Sequence, residues 1–163
     1  KAWFLRNHIS ATINVDDHIL NLLRQKDIKA KIAALTCVHF EVTENAENLL
    51  HNSLAAWQSP QDTSLWLDDF GSGYSSLNTL KDLLFDEVKI DRMFLGDTIS
   101  ESGHIVLEEI FHMLKRMKKS IVCEGVETQE VADFLKQEGC DEIQGFLYYR
   151  PMCRVDFEKL MGC

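Results

Sequence analysis

Short runs of apolar, β-branched and aromatic residues recur along the chain: ATINV around residue 13, VHFEV around 40, SLWLD around 66, EVKI around 89, SIVCE around 122 and EIQGFLY around 145. Six strands are therefore predicted. Their spacing of roughly 20 to 35 residues suits a repeating unit of strand, loop, helix and loop, the repeat of a parallel β/α architecture. Between the strands the period changes. In HIVLEEIFHMLKRMKK, Val106, Ile110, Met113 and Met117 form one stripe at helical spacing, and the basic cluster that follows suits a helix C-terminus. Between Thr128 and Gly139, Val131, Phe134 and Leu135 mark an apolar face, with Thr128 as N-cap and Gly139 as a left-handed C-terminal residue. Residues 45–58 place Leu50, Leu54 and Trp57 on one side after Asn45, a further cap. These stripes read as core.

Composition narrows the picture. A chain of 163 residues, 45% hydrophobic and 26% charged, has the material for one globular domain. No apolar run approaches the roughly 20 residues of a membrane helix, and the opening KAWFLRNHIS lacks the order of a signal peptide. Cys37, Cys123, Cys140, Cys153 and Cys163 are an odd set without CxxC spacing, so a reducing cytoplasm is expected rather than a disulfide framework or a zinc site. A formal charge of −9 disfavours a DNA or RNA polymer as partner and leaves any anionic substrate dependent on local cations.

Polar residues follow the apolar runs abruptly: Asn14 after Ile13, Glu41 and Glu44 in EVTE, Asp68 and Asp69 in LDDFGSG, Lys89 in VKID and Glu124 in CEGVE. In parallel β/α folds the carboxyl ends of the strands converge on one face, so these distant segments are placed to build one site. Any single strand-end acid also suits capping or a surface ion pair. The adjacent acids Asp68 and Asp69 repel each other unless a cation or donors hold them. Carboxylates with an amide match hard divalent ions, and the six histidines form no ligand pattern. Lys89 reads either as a surface lysine or as the group that holds an attacking water. GSGYSS offers helix capping or contacts to phosphate. No triphosphate or dinucleotide motif occurs.

The ordered set EVTEN, LWLDDFGSGYSSLNTLKDLLFDEVKIDRMF, CEGVET and GCDEIQGFLYYRP resembles the EAL-domain family of cyclic di-GMP phosphodiesterases. The resemblance implies a modified TIM-like (β/α) barrel that uses two Mg²⁺ or Mn²⁺ ions to open cyclic di-GMP to linear 5′-pGpG. It implies that Asn14, Glu41, Asp68 and Asp69 are metal ligands, with Asp68 bridging. Lys89 would contact the nucleophilic water and Glu124 would act beside it as general base or ligand. Gln144 would line the site, Glu44 would steady the acid-pair loop, and Glu127 would support the loop after Glu124. A homodimer and an upstream sensor or cyclase domain are further expectations.

The glutamate of the motif that names the family would lie upstream of Asn14. Residues 1–163 are accordingly expected to be the C-terminal two-thirds of an EAL-like domain, with about six of eight strands. Cys123 stands where the family more usually has alanine, and Ser72 where threonine is usual. The alternative to a hydrolase is a catalytically silent EAL-like module that binds cyclic di-GMP or a protein.

Overall fold

A computed structural model describes residues 9–16, 18–19, 22, 25, 27–28, 31, 37–43, 64–71, 77, 80, 85–96 and 100–162. All six predicted strands are present: β1 Ala11–Val15, β2 Val38–Thr43, β3 Leu65–Phe70, β4 Glu87–Ile90, β5 Ser120–Cys123 and β6 Glu142–Ile143. They form one sheet in the order β1-β2-β3-β4-β5-β6, and every neighbouring pair is parallel. Each strand pairs with its successor without reversal. Sequential parallel order without reversal is the winding of a barrel rather than of a doubly wound sheet. The fold is thus an α/β arc of a TIM-like barrel.

Alternation along the strands separates two faces. Phe40 and Val42 of β2, Leu65 and Leu67 of β3, Val88 and Ile90 of β4, and Ile121 and Cys123 of β5 join the apolar core. Against it pack α1 Arg92–Gly96, α2 Glu101–Arg116 and α3 Gln129–Gln137; α4 Arg154–Leu160 follows β6 and buries no residue. In α2 the enclosed residues are Leu107, Phe111 and Leu114, while Ile110, Met113 and Met117 flank them and Val106 is exposed. The predicted stripe was therefore displaced toward one edge of the true buried face, because Leu107, Phe111 and Leu114 form an adjacent row at the same period. Full enclosure of each contributes about 1.5–3 kcal/mol relative to exposure.

The predicted ends of α3 agree with the structure. Thr128 accepts a hydrogen bond from the Val131 N–H, and Gly139 has φ +90°. Residues 45–58, with the helix expected there, lie outside the described residues.

The sixth strand is shorter than EIQGFLY suggests. Gln144 N–H still donates to Cys123 O at 2.9 Å, but Val126 N–H donates to Gln144 O at 3.1 Å and Leu147 N–H to Val126 O at 3.1 Å. These bonds fold the chain across the loop after β5. Gly145 permits that crossing, since a Cβ there would lie 2.0 Å from Val126 O. No helix among the described residues is long and apolar enough to cross a membrane.

Candidate active site

The sheet's second face carries the polar members of the same alternation. Glu41 of β2 stands in register with Asn14 of β1 and Trp66 of β3, and Trp66 with Glu87 of β4. Nearer the carboxyl end, Asp68 pairs in register with Thr43.

Between β3 and β4 the register changes: Leu67 pairs with Val88, but Phe70 pairs with Ile90. Two residues, Asp68 and Asp69, thus stand opposite the single Lys89, a β-bulge. Asp69 takes φ +58°, a left-handed conformation uncommon outside glycine but commoner for Asp and Asn than for other residues. The bulge lets two consecutive acids approach one site while Leu67 and Phe70 both stay in the core. Gly71 follows at φ +98° against the Phe94 ring, where a Cβ would lie 2.7 Å from Cδ2. A side chain there would displace Phe94 and the turn that carries the acids.

Lys89 is the centre of the cluster. Its Nζ lies 2.7 Å from Glu124 Oε1, 3.0 Å from Asp68 Oδ1 and 3.1 Å from Glu41 Oε1. Only 4% of Lys89 is exposed, which places a full charge in a region that water scarcely reaches. Burial alone lowers a lysine pKa; here the Glu124 hydrogen bond and the charges of Asp68 and Glu124 outweigh it and raise the pKa above the ordinary value. Lys89 is protonated across the physiological range.

The acids shift upward as well. Burial raises the Glu124 pKa, partly offset by Lys89, and burial with the neighbouring Asp68 charge raises that of Asp69. Such shifts gather where charge is held for chemistry. Carboxylate oxygens of Asp68, Asp69 and Glu124 lie within 4.8 Å of one another, a spacing one metal ion can bridge. Asp68 Oδ1 is closed to solvent and, with Lys89 Nζ 3.0 Å away, meets no aligned hydrogen-bond donor. Hard oxygen donors, an open valence on Asp68 and three acids already converging on one positive charge fit a divalent cation.

The structure therefore brings together Glu41, Asp68, Asp69, Lys89 and Glu124, and places Asn14 beside Glu41 in register, with its side chain exposed. Gln144 sits just after β6, tied through its backbone to Cys123 and Val126. Glu127 is exposed in the loop after β5, and Glu44 and Ser72 lie outside the described residues.

One buried acid was missed. Glu87, two residues before Lys89 on the same face, is 8% exposed, its Oε1 has no hydrogen-bond partner, and its pKa is pushed up to about 7 by burial and then by Glu142 and Asp141. The alternation Glu87-Val88-Lys89 in EVKI was the available signal.

A match to the EAL domain family spans residues 5–151. NbdA of Pseudomonas aeruginosa, a cyclic di-GMP phosphodiesterase, is 33% identical over 151 residues, which cover 89% of this chain and 18% of NbdA. The structure of the MucR phosphodiesterase of the same organism, in complex with c-di-GMP, superposes with a TM-score of 0.76 at 27% identity, covering 96% of this chain and 68% of that one. The manganese and cyclic di-GMP complex of Klebsiella pneumoniae BlrP1 gives 0.69 at 26% identity, covering 87% and 39%. The chain spans 18% to 21% of the length of the curated relatives that match it first. Strand order, the bulged acid pair and this match over most of the chain lead to one conclusion: the chain belongs to the EAL domain family.

Proposed function

We propose that this chain forms the greater part of a phosphodiesterase site that hydrolyses cyclic di-GMP to linear 5′-pGpG with two divalent ions, Mg²⁺ or Mn²⁺. The observation that carries the reading is the convergence of Glu41, Asp68 and Glu124 from three strands on Lys89, with Asp69 added by the bulge. Asn14, Glu41, Asp68 and Asp69 would hold the ions, with Asp68 between them and Glu124 at the edge. Bound there, the ions would polarise the phosphoryl oxygens and lower the pKa of water.

The chain's own groups supply the rest. Lys89 stays charged and faces three carboxylates within 3.1 Å of its Nζ. With ions bound to those carboxylates, Lys89 would be the donor available to fix a water in line with the phosphorus. Glu124, 2.7 Å from Lys89 and with a raised pKa, is the base that accepts that water's proton. Gln144 and Glu127 border the same end of the sheet, and Glu44 is assigned to the acid-pair loop by family resemblance. Four free cysteines among the described residues suit a reducing cytoplasm. Dimerisation and control by an attached sensor or cyclase domain belong to the same reading, and resemblance is their support.

The test is cyclic di-GMP turnover with Mg²⁺ or Mn²⁺, an EDTA control and chromatographic resolution of 5′-pGpG, on folded parent and Asp68→Asn. Metal-dependent product from the parent alone is expected. Nucleotide binding without turnover would replace the hydrolase with a receptor, and turnover that survives Asp68→Asn would overturn the site.

A further inference from the structure

Between β6 and α4 the segment GFLYYRPM turns large side chains outward: Phe146 is 49% exposed and Tyr149 60%. With Phe157 and Leu160 of α4 they wall a cleft of about 400 Å³, which Gln144 and Arg150 also line. A cleft of that size suits a ligand as large as a nucleotide. Gln144 ties it to the acid cluster, because its N–H donates to Cys123 O at 2.9 Å and its O accepts from Val126 N–H at 3.1 Å, the two residues that bracket Glu124 and Gly125. Among the described residues, Lys89, Lys115, Arg154 and Lys159 each pair with a carboxylate. Arg150 instead lies over the Phe146 ring, its Cζ 4.5 Å from the centroid, and no described carboxylate pairs with it. A ring face attracts the cation without taking any N–H, so the guanidinium is oriented while its donors stay available. In a chain of formal charge −9, a cation kept from carboxylates at the wall of a cleft is placed for an incoming anion.

We propose that this cleft is the subsite for the half of cyclic di-GMP that is not cleaved, with Arg150 binding its phosphate and the apolar wall taking its base. Naming cyclic di-GMP as the ligand rests on the proposed hydrolase reading. The nucleotide carries two phosphodiesters, and ions held by the acid cluster would serve only the one that reacts. Lys89 is enclosed among Glu41, Asp68 and Glu124, which leaves Arg150 to meet the other phosphate. A guanidinium suits it, since its planar fork matches two phosphate oxygens at once. The base lies against Tyr149, Phe157 and Leu160, a wall that offers stacking and apolar contact. No bond changes in this subsite. Arg150 is a positioning residue: by fixing the far half it sets how the reacting phosphorus meets the acid cluster.

Isothermal titration of cyclic di-GMP into the folded chain in EDTA reads the subsite without turnover. Arg150→Met should weaken binding about tenfold or more, the loss of one charge-assisted fork. Phe146→Leu, which removes the ring that orients the cation, should weaken it less. Arg154→Met, an equal change of charge at the exposed pair with Glu158, should bind at the parent's level. A parent that fails to bind in EDTA, Arg150→Met binding as tightly as the parent, or equal losses in Arg150→Met and Arg154→Met would each overturn the subsite. With Mn²⁺ present, Arg150→Met should raise KM by a larger factor than it lowers kcat, and a fall in kcat alone would remove Arg150 from substrate binding. The two readings fail separately: a parent that binds without hydrolysing sinks the hydrolase and leaves the affinity result standing, whereas Arg150→Met with the parent's affinity and turnover sinks the subsite alone.

Discussion

The two ends of the sheet's polar face handle buried polarity in different ways. At the amino end, Trp66 Nε1 donates to Ser64 Oγ at 2.6 Å, and Ser64 presents its hydroxyl at 2.5 Å and its N–H at 3.2 Å to His39 Nδ1. The His39 ring stacks on Trp66, and burial lowers its pKa, so it stays neutral. The contacts among these groups are mutually satisfying. At the carboxyl end one ammonium faces three carboxylates, a fourth acid stands at positive φ, and Asp68 Oδ1 lacks an aligned donor. A neutral satisfied network supports a fold, whereas a crowded charged cluster in a backbone irregularity marks where something else must bind.

The contrast can be broken most sharply at its charged end. Asp68→Asn should lower metal-dependent turnover by more than about a hundredfold while circular dichroism stays unchanged, since a ligand is lost and the volume kept. Lys89→Ala leaves buried acids without their cation and should cost about 3–5 kcal/mol in metal-free buffer. Mn²⁺ should then raise the melting temperature of this variant more than that of the parent; an equal rise would separate Lys89 from the metal site. In steady-state kinetics the same variant should lose kcat more than it changes KM, and a pure loss of affinity would remove the lysine from the chemical step.

Glu87 lies between the two ends and sharpens the boundary. Its carboxyl is raised from 4.5 to about 7, so between those values the unfolded chain ionises it while the folded chain keeps it protonated. The unfolded state then binds fewer protons, and stability from this group falls as pH rises through that window. Glu87→Gln removes the penalty and should stabilise the protein by about 1–2 kcal/mol at pH 8 relative to its effect at pH 4, read from urea melts. The smallest effect belongs to the amino end. His39→Ala should cost about 1 kcal/mol and leave turnover at the parent's level; a large loss of turnover would show the two ends to be coupled.

How much of this was legible beforehand depends on range. The strands were readable because β-branched runs between turn signals are local patterns, and Asp68, Asp69, Lys89 and Glu124 were readable because each lies in or next to the carboxyl end of a strand. The length of β6 was not, since the crossing of Gly145 over Val126 is a contact made only after folding. Nor could spacing show the bulge, because LDDF reads as an unbroken strand until its partner EVKI is laid beside it. Glu87 was missed for a related reason: it lies between Trp66 of β3 and Ser120 of β5, neighbours that one strand's sequence does not display.

The extra residue in β3 also says what the sheet does not require. Without Asp69, Leu67, Asp68 and Phe70 would face Val88, Lys89 and Ile90 one to one, with core and polar side chains in regular alternation and the positive φ gone. A gene that lost that codon would encode a more regular sheet, with a melting temperature expected to be no lower than the parent's. Strand length here is thus set by chemistry against the preference of the fold, and a lineage freed from that chemistry could shed the residue at no structural disadvantage.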